Sequence, residues 1–143
     1  MLINNLDKEK IIYITNNEII FYDNSKKQIN VKLDKLFDSI CLNEMTTLKG
    51  RKEAIKILFG YHNNPPLYLT KNIVLIRVED ALKNTTVYLN VTYIKNIKQE
   101  GINCKVSFMN NTFLFLCVDI KYLNKQLEKA QKIINNSYNV NFV

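Results

Sequence analysis

Leu48-Lys49-Gly50-Arg51-Lys52-Glu53-Ala54, followed at short range by His62-Asn63-Asn64-Pro65-Pro66, reads as a helix that stops at a Gly-and-Pro loop before a strand. Lys49, Arg51 and Lys52 put three basic side chains within four positions, the concentration that a phosphate backbone needs from a protein. The helix is expected from about Asn43 to Phe59, with Met45, Leu48, Ile55, Leu58 and Phe59 as its apolar stripe. Lys49, Lys52 and Lys56 recur at three- and four-residue spacing and share one exposed face, with Arg51 to one side. Gly50 inside the helix costs about 1 kcal/mol relative to Ala, and such a glycine often marks the close approach of another backbone, protein or nucleic acid. Gly60 ends the helix, and Pro65-Pro66 prevents its resumption.

Strands flank this helix on both sides. Ile11 to Thr15 and Glu18 to Tyr22 are β-branched and aromatic, and Asn16-Asn17 between them suits the left-handed conformation of a two-residue hairpin loop. Gln28 to Leu33 alternates and reads as a third strand. Asp34 then looks like the N-cap of a short helix through Leu36, Phe37, Ile40 and Cys41. Beyond the prolines, Leu67 to Leu69 and Ile73 to Val78 form a second hairpin, Glu79 to Thr85 a polar loop, and Thr86 to Ile94 an alternating strand. A third hairpin runs from Cys104 to Met109, turns at Asn110-Asn111 and returns from Thr112 to Val118. Asp119 caps a closing helix to about Asn135, with Ile120, Leu123, Leu127, Ala130 and Ile134 facing the core. Lys121, Lys125, Lys129 and Lys132 make a second basic stripe along it. The expected class is α+β: antiparallel hairpins, a central basic helix, and a C-terminal helix packed on the sheet.

Composition narrows the function. The chain has 143 residues, enough for one domain with a real core and too few for two comfortable ones. Twenty Lys+Arg against 13 Asp+Glu give a formal net charge of +7, which favours an anionic partner. Residues Met1 to Lys10 lack the apolar core of a secretory signal, and no apolar run approaches membrane-spanning length. A cytoplasmic protein with no membrane partner is expected. Cys41, Cys104 and Cys117 are widely spaced in apolar patterns and read as reduced, buried thiols rather than metal ligands.

Little suggests an enzyme. The sole histidine, His62, lies in a Pro-Asn loop and reads as a turn residue rather than a catalytic base. There is no glycine-rich phosphate loop, and Lys49-Gly50-Arg51 does not follow a strand as such loops must. The acidic residues are dispersed, so no catalytic residue, cofactor or metal is expected.

The order of these segments is similar to the competence transcription factor family, ComK. The resemblance rests on Thr46-Thr47-Leu48-Lys49-Gly50-Arg51, on Asn64-Pro65-Pro66 before the strand pair Leu67 to Val78, and on Asn110-Asn111 before a helix with Gln126-Leu127-Glu128-Lys129. It covers roughly Gln28 to Ile134 and is strongest from Thr46 to Pro66. Lys129 stands where the family usually has Arg, Asn64 where it has Lys, and Tyr88 where relatives often have Trp. The chain ends at Phe142-Val143 without the longer tail by which relatives are captured for proteolysis, so a proteolytic adaptor is not expected.

What the resemblance implies is a transcriptional activator of competence genes, a single DNA-binding domain over residues 1–143, cytoplasmic and associated with the nucleoid. Its partner would be A/T-rich duplex DNA, read largely through the minor groove by a homodimer or higher homo-oligomer. Narrow A/T grooves attract Arg and Lys and offer little base-edge code, so charge, polar donors and close approach suffice. Lys49, Arg51 and Lys52 around Gly50 supply charge and approach, with Arg51 the first candidate for groove insertion. Lys52 and Lys56 would hold phosphates, Asn63 and Asn64 would add donors, and Lys125 and Lys129 form a second line, with a structural role as the alternative for Gln126. Other readings stay open. The lysine faces would then only solvate helices, or Arg51 would pair with a buried Glu53 or Asp80. A single-strand or RNA-binding module would stack bases on Tyr61, Tyr68, Tyr88 or Tyr93, and a non-enzymatic interaction domain would dock an acidic protein.

Overall fold

The structure is a computed structural model and describes residues 10–140. Its first hairpin forms as expected: β1 (Ile11–Thr15) pairs antiparallel with β2 (Glu18–Phe21), Ile14 opposite Ile19. The turn chemistry differs, for neither Asn16 nor Asn17 is left-handed. The Thr15 hydroxyl closes the turn instead, accepting from the N–H groups of Asn17 and Glu18 at 3.3 and 3.1 Å. β3 is Lys26–Gln28 rather than Gln28 to Leu33. A tight turn brings the chain back early: Asp23 accepts from the N–H and hydroxyl of Ser25 at 2.9 and 2.6 Å, and Asn24 takes φ 70°.

Helix α1 (Leu33–Leu42) buries Leu36, Phe37, Ile40 and Cys41, the residues that its spacing selects. Its N-cap is Lys32; Asp34 lies inside the first turn, where a negative charge suits the helix dipole. The expected start of the basic helix at Asn43 is wrong. Met45 is left-handed at φ 60° and 97% exposed, and the N–H groups of Glu44 and Thr46 both return to the carbonyl of Cys41. That break finishes α1, so α2 is Leu48–Phe59. Thr47 caps it, accepting from Gly50 N–H at 2.9 Å, while Asp38 accepts from Leu48 N–H at 2.8 Å and ties the two helices together. Thr47→Ala is expected to cost about 1 kcal/mol. The measurement is a lower urea midpoint at unchanged m-value, and an unmoved midpoint would contradict it.

Three strands follow: β4 (Leu67–Thr70), β5 (Ile73–Asp80) and β6 (Thr85–Asn90). The loop expected over Glu79 to Thr85 shrinks, because Glu79, Asp80 and Thr85 all pair in the β5–β6 ladder. Asp80 accepts from the N–H groups of Leu82 and Lys83 at 3.0 and 2.9 Å, which satisfies this buried carboxylate. Strand β6 ends at Asn90 rather than reaching Ile94. A 3-10 turn over Val91–Tyr93 redirects the chain into β7 (Ile94–Glu100), a strand the polar run Ile94-Lys95-Asn96-Ile97-Lys98-Gln99-Glu100 had concealed. β8 (Asn103–Phe108) and β9 (Phe113–Leu116) make the expected hairpin, with Asn111 at φ 66°. Asp119 accepts from Lys121 N–H at 2.9 Å at the start of α3, which spans Ile120–Val140.

Hydrogen bonding orders the strands β3-β2-β1-β6-β5-β4 in one sheet and β7-β8-β9 in another. All neighbouring pairs are antiparallel. The larger sheet is buried on both faces. Ile14, Ile19, Ile73 and Leu75 pack on α1, while Val74, Ile76, Val87 and Leu89 pack with Val106, Phe108 and Leu116 of the small sheet and Leu123 and Ala130 of α3. The architecture is α+β, with the C-terminal helix against sheet, as the sequence implies.

Candidate nucleic-acid interface

On α2 the inward positions are Leu48, Arg51, Ile55 and Phe59, at spacings of three, four and four. Leu48 and Ile55 are buried and Phe59 is half-buried, whereas Leu58, expected in the stripe, is 61% exposed. The helix is therefore rotated from the expected phase, and Arg51 belongs to its inner face. Its guanidinium carbon lies 5.1 Å from the Tyr68 ring centroid, an attractive cation–π arrangement. Arg51 Nε is buried with no hydrogen-bond partner, and no carboxylate pairs with Arg51 among the described residues. The expected alternative of a pair with Glu53 or Asp80 is thus not what holds it.

Lys49, Lys52 and Lys56 are exposed on the neighbouring face, and none is ion-paired among the described residues. Their spacing carries them along one side of the helix. Gly50 is exposed, and a Cβ built there would meet only side-chain hydroxyls, Thr47 Oγ1 at 3.1 Å and Thr46 Oγ1 at 3.4 Å. Among the described residues no backbone from another element comes within 4 Å of that Cβ position. Gly60 takes φ 70° and its N–H returns to the Lys56 carbonyl, which closes the helix as expected.

The loop after α2 is clasped to α3. Asn64 Nδ2 donates to the Tyr122 hydroxyl at 2.7 Å, and Gln126 Nε2 donates to the Asn64 carbonyl at 2.9 Å. Tyr122 in turn donates to the Arg77 carbonyl at 2.8 Å. Gln126 is buried, so its role here is structural. Asn63 stays exposed beside this clasp. Of the two second-line lysines, Lys125 is exposed, but Lys129 is half-buried with Nζ 5.1 Å from the ring centroid of Tyr61, which stacks on Phe59 at 5.5 Å. Lys129 therefore joins α3 to the end of α2. Between the two helices runs a groove of about 420 Å³ bordered by Arg51, Ile55, Leu58, Tyr68 and Ile133.

None of the three thiols belongs to the exposed lysine row. Cys41 and Cys104 are buried, Cys117 is half-buried, and all three are free. Burial pushes the Cys41 thiol up to about 11, against the downward pull of Arg51 and with a further push from Asp38. The folded state thus holds the proton more tightly than an unfolded chain does near pH 8.5. That contribution to stability is complete below about pH 8.5 and is lost as pH rises toward about 11. The urea midpoint is expected to fall over this window in the native chain and to fall less in Cys41→Ala. Equal slopes in the two would remove Cys41 as a cause.

As a class, these features define a two-sheet α+β protein with an exposed cationic helix face. Among the described residues no helix is long and apolar enough to cross a membrane, and no group of three or more His, Cys, Asp or Glu is placed to hold a metal ion. A family model described as ComK protein matches residues 3–139, and the chain belongs to the ComK family. It is in general terms a competence-related transcription factor, in a family of regulators rather than enzymes. No curated protein and no solved structure matches it.

Proposed function

We propose that this protein activates competence genes by binding A/T-rich duplex DNA, largely through the minor groove, as a homodimer or higher homo-oligomer. The whole chain then acts as one DNA-binding unit, in the cytoplasm and on the nucleoid. The observation that carries the reading is the exposed row Lys49, Lys52 and Lys56, unpaired among the described residues, on one helix of a ComK-family chain. No ion pair has to be broken before such a lysine meets a phosphate, and counterion release makes each contact favourable and salt-dependent. Lys52 and Lys56 hold phosphates, Lys49 and the exposed backbone at Gly50 approach the same strand, and Asn63 and Asn64 flank them. Lys125 extends the charge onto α3, and Lys129 fixes the two helices.

Arg51 rests half-buried on the inner side of α2 over the Tyr68 ring, and it enters the groove by turning off that ring. A narrow A/T groove favours an inserted guanidinium. Arg51→Ala is expected to reduce the preference for A/T over G/C duplexes by about tenfold while leaving the fold intact. Competition binding with both duplexes reads the first, and thermal melting the second. A collapse of the melting transition would make Arg51 a structural residue and withdraw it from the interface.

A further inference from the structure

The outer face of the small sheet carries a cluster that the basic helix does not account for. Cys104, Val106, Phe108 and Leu116 point inward and are buried. Alternation sends Phe113 and Phe115 of β9 to the opposite face, where they remain 50% and 39% exposed. Register places Phe115 beside Lys105, which faces Lys98, and Phe113 beside Ser107, which faces Asn96. The two rings meet edge to face at 5.3 Å, and Lys105 Nζ lies 4.4 Å from the Phe113 centroid.

Folding gains only the ring–ring and cation–π contacts from this arrangement. Two phenylalanines left in water forgo burial, and two lysines directly opposite each other repel. Aromatic faces, ammonium groups and short polar donors on one sheet instead match unstacked bases on a sugar-phosphate strand. We propose that the outer face of β7, β8 and β9 binds single-stranded nucleic acid, separately from the α2 surface. Phe113 and Phe115 stack bases, and Lys98 and Lys105 take the phosphates between them. Two outward lysines, Lys98 and Lys105, against one outward carboxylate, Glu100, favour a polyanionic strand over a second copy of the chain as the occupant. The tyrosines first considered for stacking offer less open ring surface: Tyr68 is buried and Tyr61, Tyr88 and Tyr93 are half-buried, whereas Phe113 and Phe115 are exposed.

The test is fluorescence anisotropy of the full chain with a labelled oligothymidylate of about 15 nucleotides, within the span of common single-strand sites, alongside an A/T duplex. Phe113→Ala/Phe115→Ala is expected to weaken single-strand binding by about a hundredfold, near tenfold per ring, and to leave duplex binding within about twofold. Phe113→Tyr/Phe115→Tyr keeps the rings and is expected to retain single-strand affinity. Unchanged single-strand binding in the alanine variant, or equal loss on both nucleic acids, overturns the proposal. So does a native chain that ignores the oligothymidylate, or an alanine variant that sediments as a smaller oligomer, which would mark a self-contact. Should the alanine variant fail to fold, Lys98→Ser/Lys105→Ser reads the same face. It is expected to lower the single-strand salt slope by about 1.4, and an unmoved slope contradicts the proposal. A failure of duplex binding with single-strand binding intact would sink the proposed activator role and leave this surface standing.

Discussion

Replacing Lys49, Lys52 and Lys56 together with alanine is expected to weaken duplex DNA binding on the order of a hundredfold, if each charge-assisted contact is worth about 1 kcal/mol. The slope of log affinity against log salt should fall by about three, near one per phosphate contact. The three side chains are exposed and unpaired among the described residues, so their removal strands no buried partner. The unfolding free energy from urea denaturation should therefore stay within about 0.5 kcal/mol of the native value, as for ordinary surface substitutions. Salt-dependent titrations read both effects. An unchanged slope would show that this face only solvates the helix.

The largest effect on stability is expected at Asn90, where β6 hands over to the small sheet. Its side chain is fully buried and satisfied by four backbone groups. Nδ2 donates to the carbonyls of Ile11 at 2.7 Å and Asn72 at 2.9 Å, while Oδ1 accepts from Val74 N–H at 3.2 Å and Thr92 N–H at 3.3 Å. The Thr92 hydroxyl adds another donor to Oδ1 at 2.9 Å. One side chain thus fastens β1, the β4–β5 turn, β5 and the 3-10 turn. Alanine would leave several buried groups without partners, each costing about 1–3 kcal/mol in the absence of water. Relaxation and entering water recover part of this, so Asn90→Ala is expected to lose about 3 kcal/mol, a large share of a typical domain's stability. Urea denaturation at neutral pH measures it. A loss below about 1 kcal/mol would show that the network is replaceable.

The hairpins were legible because alternation and Asn-rich turns speak locally. Strand β7 was not, since Ile94 and Ile97 are the only apolar residues in Ile94–Glu100 and neither a period of two nor a helical period emerges. Its partner β8 decides that it is a strand. The α2 start was missed for a related reason. Met45 fits an apolar stripe by spacing, but the left-handed turn around it and the Thr47 cap reset the helical phase. That reset carries Leu58 outward and Arg51 inward.

At the candidate interface, the three α2 lysines could be grouped from spacing alone, because one helix holds them. The position of Arg51 could not, although its three- and four-residue steps from Leu48 and Ile55 were a usable signal. The ring that receives it, Tyr68, sits across the Pro65-Pro66 loop on another element. Lys129 likewise looked like one of a stripe until Tyr61 from beyond α2 claimed it. The outer phenylalanines were hidden in the continuous run Phe113-Leu114-Phe115-Leu116, where only the pairing with β8 reveals which side chains face out.

The most direct measurement is anisotropy titration of the native chain with an A/T-box duplex and a G/C-rich duplex of equal length, at two salt concentrations. The account predicts tighter binding to the A/T duplex, with the preference persisting at the higher salt while absolute affinity falls. Equal affinities that vanish together as salt rises would contradict it.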